Sequence, residues 1–297
     1  KIILSIFFII SIFNVSNSKN LDKFYKEDKI SNYFSGILSF YDNDFNNSYK
    51  FLKPLKGLEN AHLPYSQIYQ RSLVNLERFD EAFKYSLSLE KKNQNNFETN
   101  LIIGVYYLKK NNYDLAKKYF IKLTKNENAT EFTDLLSQSI NSWISFPNKS
   151  YSEAKKLLDE MPKKFHEIKK IQNSFLECYY NTKLVEKGFE NLINDKNNNF
   201  SRYNYFYVSH LLKKNEEVRA TDAIDEALKK NPRNLNLNQL KIDLNSKKFK
   251  SQFNCEKLTD VIAEIFYIGS NILSSQSLYS LSNFYLNLAK YLNPLFI

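Results

Sequence analysis

A chain of 297 residues with 43% hydrophobic and 15% aromatic content has ample material for a buried core, which excludes global disorder. With only 5 Gly and 6 Pro it is too poor in turn residues for a turn-rich all-β fold, and the all-α class expected of it rests on the repeat spacing below. The net charge of +10 comes from lysines scattered along the chain without a basic stripe, so nucleic acid is not an expected partner.

The first element is the apolar run Ile2 to Phe13, preceded by Lys1 and followed by Asn14-Val15-Ser16-Asn17-Ser18-Lys19. The run falls well short of the roughly 20 residues that a spanning helix needs. It matches the core of a signal peptide, with small residues Ser16 and Ser18 placed for cleavage before Lys19. The expectation is an exported, periplasmic protein with residues 1–18 removed and 19–28 as a linker. The alternatives are a buried helix of the fold and an uncleaved inner-membrane anchor, which would hold the protein close to the membrane. Cys178 and Cys255 lie more than two repeat lengths apart. A repeat array would separate them beyond the roughly 7 Å that a disulfide tolerates, so both are expected to be unpaired, small buried hydrophobes.

From residue 29 onward a 34-residue step governs the chain. Phe45, Phe79 and Tyr113 keep it, as do Gly36, Gln70 and Gly104, and Ser48, Ala82 and Ala116. Units 29–62, 63–96 and 97–130 follow without a residue between them, each predicted as two helices joined by a turn, at Glu77-Arg78 and Asn111-Asn112 in the second and third. Small residues let the two helices approach closely and aromatics fill the space around the crossing. Unit 131–168 is longer, since Ala154 follows Ala116 by more than one step and Pro147 marks the added length. Unit 169–200 carries Phe175, Tyr179, Gly188 and Leu192, and unit 201–234 restores the pattern with Tyr207, Ala220, Ala227 and Pro232. Residues 235–262 are irregular, either a degenerate helical unit or an insertion, and 263–296 give a last unit with Tyr279, Ser282, Ala289 and Pro294.

This spacing resembles the tetratricopeptide repeat, and Arg78-Phe79-Asp80-Glu81-Ala82 resembles the commonest opening of its second helix. The resemblance implies an α-solenoid of helix-turn-helix repeats wound into a right-handed superhelix, a fold that docks partners and seldom carries chemistry. The stretch from Val261 through Tyr285-Leu286-Asn287-Leu288-Ala289-Lys290-Tyr291-Leu292-Asn293-Pro294 is similar to exported tetratricopeptide proteins of alphaproteobacteria. That likeness implies bacterial origin and export. In that group more repeats follow, and no polar cap helix precedes Ile297, so the array is expected to continue.

No constellation of residues promises chemistry. His62, His166 and His210 fall in different repeats without a second ligand at metal spacing, and no Gly-rich phosphate loop or Gly-x-Ser-x-Gly elbow occurs. No catalytic residue, cofactor, metal or small-molecule substrate is therefore expected.

Binding remains, and the resemblance implies where. The first helix of each repeat lines the groove through Tyr33, Ile37 and Phe40, then Gln67 and Arg71, then Leu101, Val105 and Leu108, and later Arg202 and Tyr205. So apolar a lining suits an amphipathic helix or an extended apolar peptide. These side chains are expected to be exposed, unless the array is longer than its visible part and a neighbouring or C-terminal element fills the groove. The expected function is a non-enzymatic protein–protein interaction scaffold of the bacterial cell envelope, with a protein partner. The alternatives are the helical part of a lytic-transglycosylase-like enzyme whose catalytic domain lies beyond residue 297, and a membrane-anchored assembly factor.

Overall fold

The computed structural model describes residues 27–60, 62–125, 130–196, 198 and 200–295, so the run Ile2–Phe13 lies outside the described residues. Among the described residues all regular structure is helical and there is no strand, as the repeat spacing predicts. The helices of the first three units are α1 (Glu27–Tyr41), α2 (Phe45–Leu52), α3 (Leu63–Asn75), α4 (Phe79–Lys91), α5 (Phe97–Lys109) and α6 (Tyr113–Ile121). There follow α7 (Glu131–Ser145), α8 (Tyr151–Asp159), α9 (His166–Tyr179), α10 (Val185–Ile193), α11 (Tyr203–Lys213) and α12 (Glu217–Lys230). The chain closes with α13 (Leu235–Asn245), α14 (Leu258–Ser275) and α15 (Tyr279–Leu292).

The 34-residue step appears in the backbone itself. Asn43, Glu77 and Asn111 stand at φ 62°, 57° and 58°, each in the turn between the two helices of its unit. Each turn ends its first helix in the same way: Asp44 N–H reaches Ser39 O at 2.8 Å, Arg78 N–H reaches Leu73 O and Asn112 N–H reaches Tyr107 O, both at 2.9 Å. That bond, paired with a left-handed residue, satisfies carbonyls that a helix end leaves open. Asn tolerates the left-handed region; Glu77 occupies it at a cost of about 1 kcal/mol. Asp44 and Asn112 then cap the second helix, accepting from Asn47 N–H at 3.1 Å and Leu115 N–H at 3.2 Å. The predicted turns at Glu77-Arg78 and Asn111-Asn112 are therefore present. So is the lengthened fourth unit, in which a 3₁₀ turn over Phe146–Asn148 precedes the Ser150 capping box of α8.

The contacts divide into two compact units, one ending at Thr99 and the other beginning at Asn100, a division inside α5 that the sequence period does not announce. In the first, a Cβ built on Gly36 would lie 2.6 Å from the Leu52 side chain, so α1 and α2 cross where only hydrogen fits. The equivalent crossing of α3 and α4 is polar: Gln70 Nε2 donates to Ser86 Oγ at 2.8 Å and to Thr99 Oγ1 at 3.0 Å, all buried. Successive pairs are joined by Ser48 Oγ and Ser72 Oγ at 2.8 Å.

The unit from Asn100 repeats the apolar solution. A Cβ on Gly104 would meet Phe120 at 2.4 Å, so the bulky residue late in α6 takes the space next to the glycine. Between neighbouring pairs, buried Gln172 accepts from Trp143 Nε1 at 3.1 Å and donates to Ser139 Oγ at 2.9 Å. The irregular stretch resolves into α13 and a segment 246–257 without regular structure, after which α14 begins earlier than predicted, at Leu258. The first half of α14 is buried on all sides, through Val261, Ile262, Ala263, Glu264, Ile265 and Phe266. It pairs with α15 through Ser270 Oγ and Ser282 Oγ at 3.0 Å, and folds back on α7, where a Cβ on Gly269 would lie 3.3 Å from both Phe132 and Leu136.

The reversal corrects the expectation for the cysteines. The segment after α13 returns across α11 and α9 and brings Cys255 beside Cys178, with 5.9 Å between Cα atoms and a disulfide between them. Sequence separation did not translate into distance because the chain turns back on itself.

Candidate functional site

The residues expected to line the groove divide into three groups. Phe40, Leu101, Val105 and Leu108 are core: each is at most 1% exposed. Phe40 packs on Phe45 across the first turn, with ring centroids 5.7 Å apart. Helix α5 is met by α15, where Lys109 Nζ donates to Leu292 O at 3.0 Å and the rings of Tyr106 and Tyr291 stack at 6.5 Å. The expectation that these four side chains stand free is corrected. Phe40 is closed by its own helix pair, and the C-terminal end of α5, at Tyr106 and Lys109, is met by α15 of the same chain.

The second group is accessible but engaged. Tyr33 hydroxyl is hydrogen-bonded to His62 Nε2. Arg71 forms an ion pair with buried Glu98, donating from Nε at 3.0 Å, and Gln67 Nε2 donates to the same carboxylate at 3.4 Å. Tyr205 hydroxyl donates to Lys250 O at 2.6 Å, and its ring lies 5.4 Å from Phe249. Only Ile37 is half-buried without a polar commitment.

The third group is on α11 and α14, where Arg202, the remaining expected groove residue, meets Tyr203 and Glu264, which sequence reasoning missed. Arg202 Nε donates to Glu264 at 3.1 Å, and Tyr203 hydroxyl donates to the same carboxylate at 3.0 Å. Glu264 is fully buried, and burial outweighs the pull of Arg202 and Tyr203, pushing its carboxyl up to about 7. Burial, then the neighbouring carboxylate, raises the Tyr203 phenol well above its ordinary value. The signal in the sequence was a Glu inside a helix apolar on every side, which marks a helix enclosed by protein.

A cavity of about 570 Å³ adjoins this region, lined by Cys178, Cys255, Phe206, His210 and Phe253. His210 Nδ1 stands 3.9 Å from Cys178 Sγ, and its Nε2 is buried with no hydrogen-bond partner among the described residues. Burial, with Lys214 nearby, lowers the tendency of His210 to carry a proton. No group of three or more His, Cys, Asp or Glu able to hold a metal occurs among the described residues.

Among the described residues one apolar helix face is left uncovered. On α1, Ile30, Phe34, Leu38 and Tyr41 follow helical spacing, and Phe34, Leu38 and Tyr41 are 58%, 64% and 62% exposed. One step of the repeat later the positions of Phe34 and Leu38 hold Ile68 and Ser72, both buried, with Ser72 bonded to Ser48 of the preceding second helix. The α1 stripe is therefore the face that a preceding helix would cover. Among the described residues no helix is long and apolar enough to cross a membrane. Compared with known proteins, the chain matches no protein-family model and no curated protein.

Proposed function

We propose that this chain is a non-enzymatic interaction scaffold of the bacterial cell envelope, a tetratricopeptide-like array wound into a right-handed superhelix. The repeat reading is supported by the left-handed turns at Asn43, Glu77 and Asn111, which keep the 34-residue step of the sequence. Export to the periplasm is supported by the Cys178–Cys255 disulfide, since such bonds persist in oxidising compartments. The docking role rests on the apolar stripe Ile30, Phe34, Leu38 and Tyr41, flanked by half-buried Tyr33 and Ile37. A contiguous exposed apolar stripe marks an interaction surface. Its register commits it to one kind of occupant, an amphipathic helix of an envelope protein seated where a preceding second helix of the array would lie.

The test places a photo-crosslinking amino acid at Phe34 in cells that carry the gene with its native start. The expected result is a defined adduct with an envelope protein, recovered in the periplasmic fraction with a mature N-terminus near Lys19, and no adduct from position 117. Crosslinks only to residues 2–13 of the same chain, or a cytosolic product that retains residues 1–18, would overturn the reading.

A further inference from the structure

The segment between α13 and α14 sits on α9 and α11 as a bound peptide would. It has no regular structure of its own, and it is held through side chains of the helices beneath it. The Phe253 ring stacks on Phe206 with centroids 4.0 Å apart and lies 4.9 Å from Phe175. Phe249 covers Tyr205 at 5.4 Å. Two of its main-chain carbonyls are taken by outside donors, Lys250 O by Tyr205 and Gln252 O by Asn293 Nδ2 at 2.7 Å. The side chains of Lys248, Lys250, Ser251 and Gln252 face solvent. Between Phe249 and Phe253 the two rings and the backbone are what is held, and at the far end the Cys178–Cys255 disulfide and an ion pair between Lys213 and Glu256 at 2.6 Å fix the segment.

We propose that Phe175, Tyr205 and Phe206 form a docking track for an extended peptide with two aromatic side chains four residues apart, which Phe249 to Cys255 fills until a dithiol opens the disulfide. This rests on the scaffold reading above and adds to it the partner's chemistry. Both cysteines are buried, yet both line the 570 Å³ cavity, which gives a reductant its approach. One thiolate of the dithiol attacks a sulfur of the pair and the Cys178–Cys255 bond breaks. The second thiol then resolves the mixed disulfide: two electrons and two protons pass to Cys178 and Cys255, and the reductant leaves as its own disulfide. The freed segment remains tethered and competes for the track at an effective concentration in the millimolar range, so a partner must match that.

The test uses a labelled synthetic peptide of residues 247–256 with Ser in place of Cys255, titrated against the whole chain. The oxidised chain is expected not to bind it, the reduced chain to bind weakly, and the reduced chain carrying Phe253→Ser to bind at least tenfold more tightly than the reduced chain. A peptide with Ser at both Phe positions is expected not to bind. Hydrogen exchange runs in parallel: on reduction, or in Cys178→Ser/Cys255→Ser, amides of 246–257 should exchange about a hundredfold faster while α9 and α11 keep their protection. Equal binding by all forms, no saturable binding by any reduced form, or joint loss of protection in α9 and α11 would each overturn the proposal and leave the disulfide a structural staple. Because the probe is the chain's own segment, a failed search for a partner at Phe34 leaves this result unaffected.

Discussion

The first three helix pairs and the closing stretch from Leu235 are built on opposite principles. In the early pairs, partners are near in sequence: Gly36 meets Leu52, Gln70 meets Ser86 and Gly104 meets Phe120, each 16 residues apart. In the closing stretch they are far: Arg202 meets Glu264 across 62 residues, Cys178 meets Cys255 across 77 and Lys109 meets Leu292 across 183. Repetition makes a helix pair that needs only its neighbour. The apolar faces of α7 and α11 are covered by helices far along the chain, whereas among the described residues no helix covers the stripe of α1.

Substitutions can break either half of that contrast. Phe120→Ala should cost the unit from Asn100 about 3–5 kcal/mol, since the ring fills the space beside Gly104. Urea unfolding gives the number, and it should not depend on pH. Glu264 should behave differently. Its folded-state value near 7 lies above its ordinary 4.5, so the stabilising protonated state is complete below about pH 4.5 and is lost as pH rises through 7. Over that window the wild-type chain should lose roughly 3 kcal/mol relative to Glu264→Gln, read from urea midpoints at both ends.

Ala116→Leu should overpack the buried start of α6 by about 1–3 kcal/mol, whereas Lys117→Leu, at a more accessible position, should change little. Equal shifts in melting would mean that the register is wrong. The smallest effect is local: Ser150→Ala removes the cap of α8 and should cost about 1 kcal/mol by thermal melting.

What was legible in the sequence is what one repeat can specify alone. The turns, the fully helical class and the small residue facing a bulky one follow from packing within a single pair. The groove was misread because burial comes from packing that no single repeat announces: nothing near Tyr106 or Lys109 says that α15 will arrive, although the apolar residues on both sides of Glu264, from Val261 to Phe266, marked a helix enclosed by protein. The disulfide was missed for the same reason, since the distance between Cys178 and Cys255 was taken from an array that never folds back. Gln70 also breaks the small-residue rule, which only its bonds to Ser86 and Thr99 explain.

The return of α14 onto α7 sets a timetable for synthesis. Gly269 packs against Leu136, which leaves the ribosome long before it. With roughly 130 residues between them and synthesis at roughly 5–20 residues per second, the apolar side of α7 waits about 7–27 s for its cover. The early pairs close as they emerge, because partners such as Gln70 and Ser86 are separated by only 16 residues. A chaperone that holds apolar helix faces thus has a long opportunity at α7 of this nascent chain, and it ends only when α14 is released.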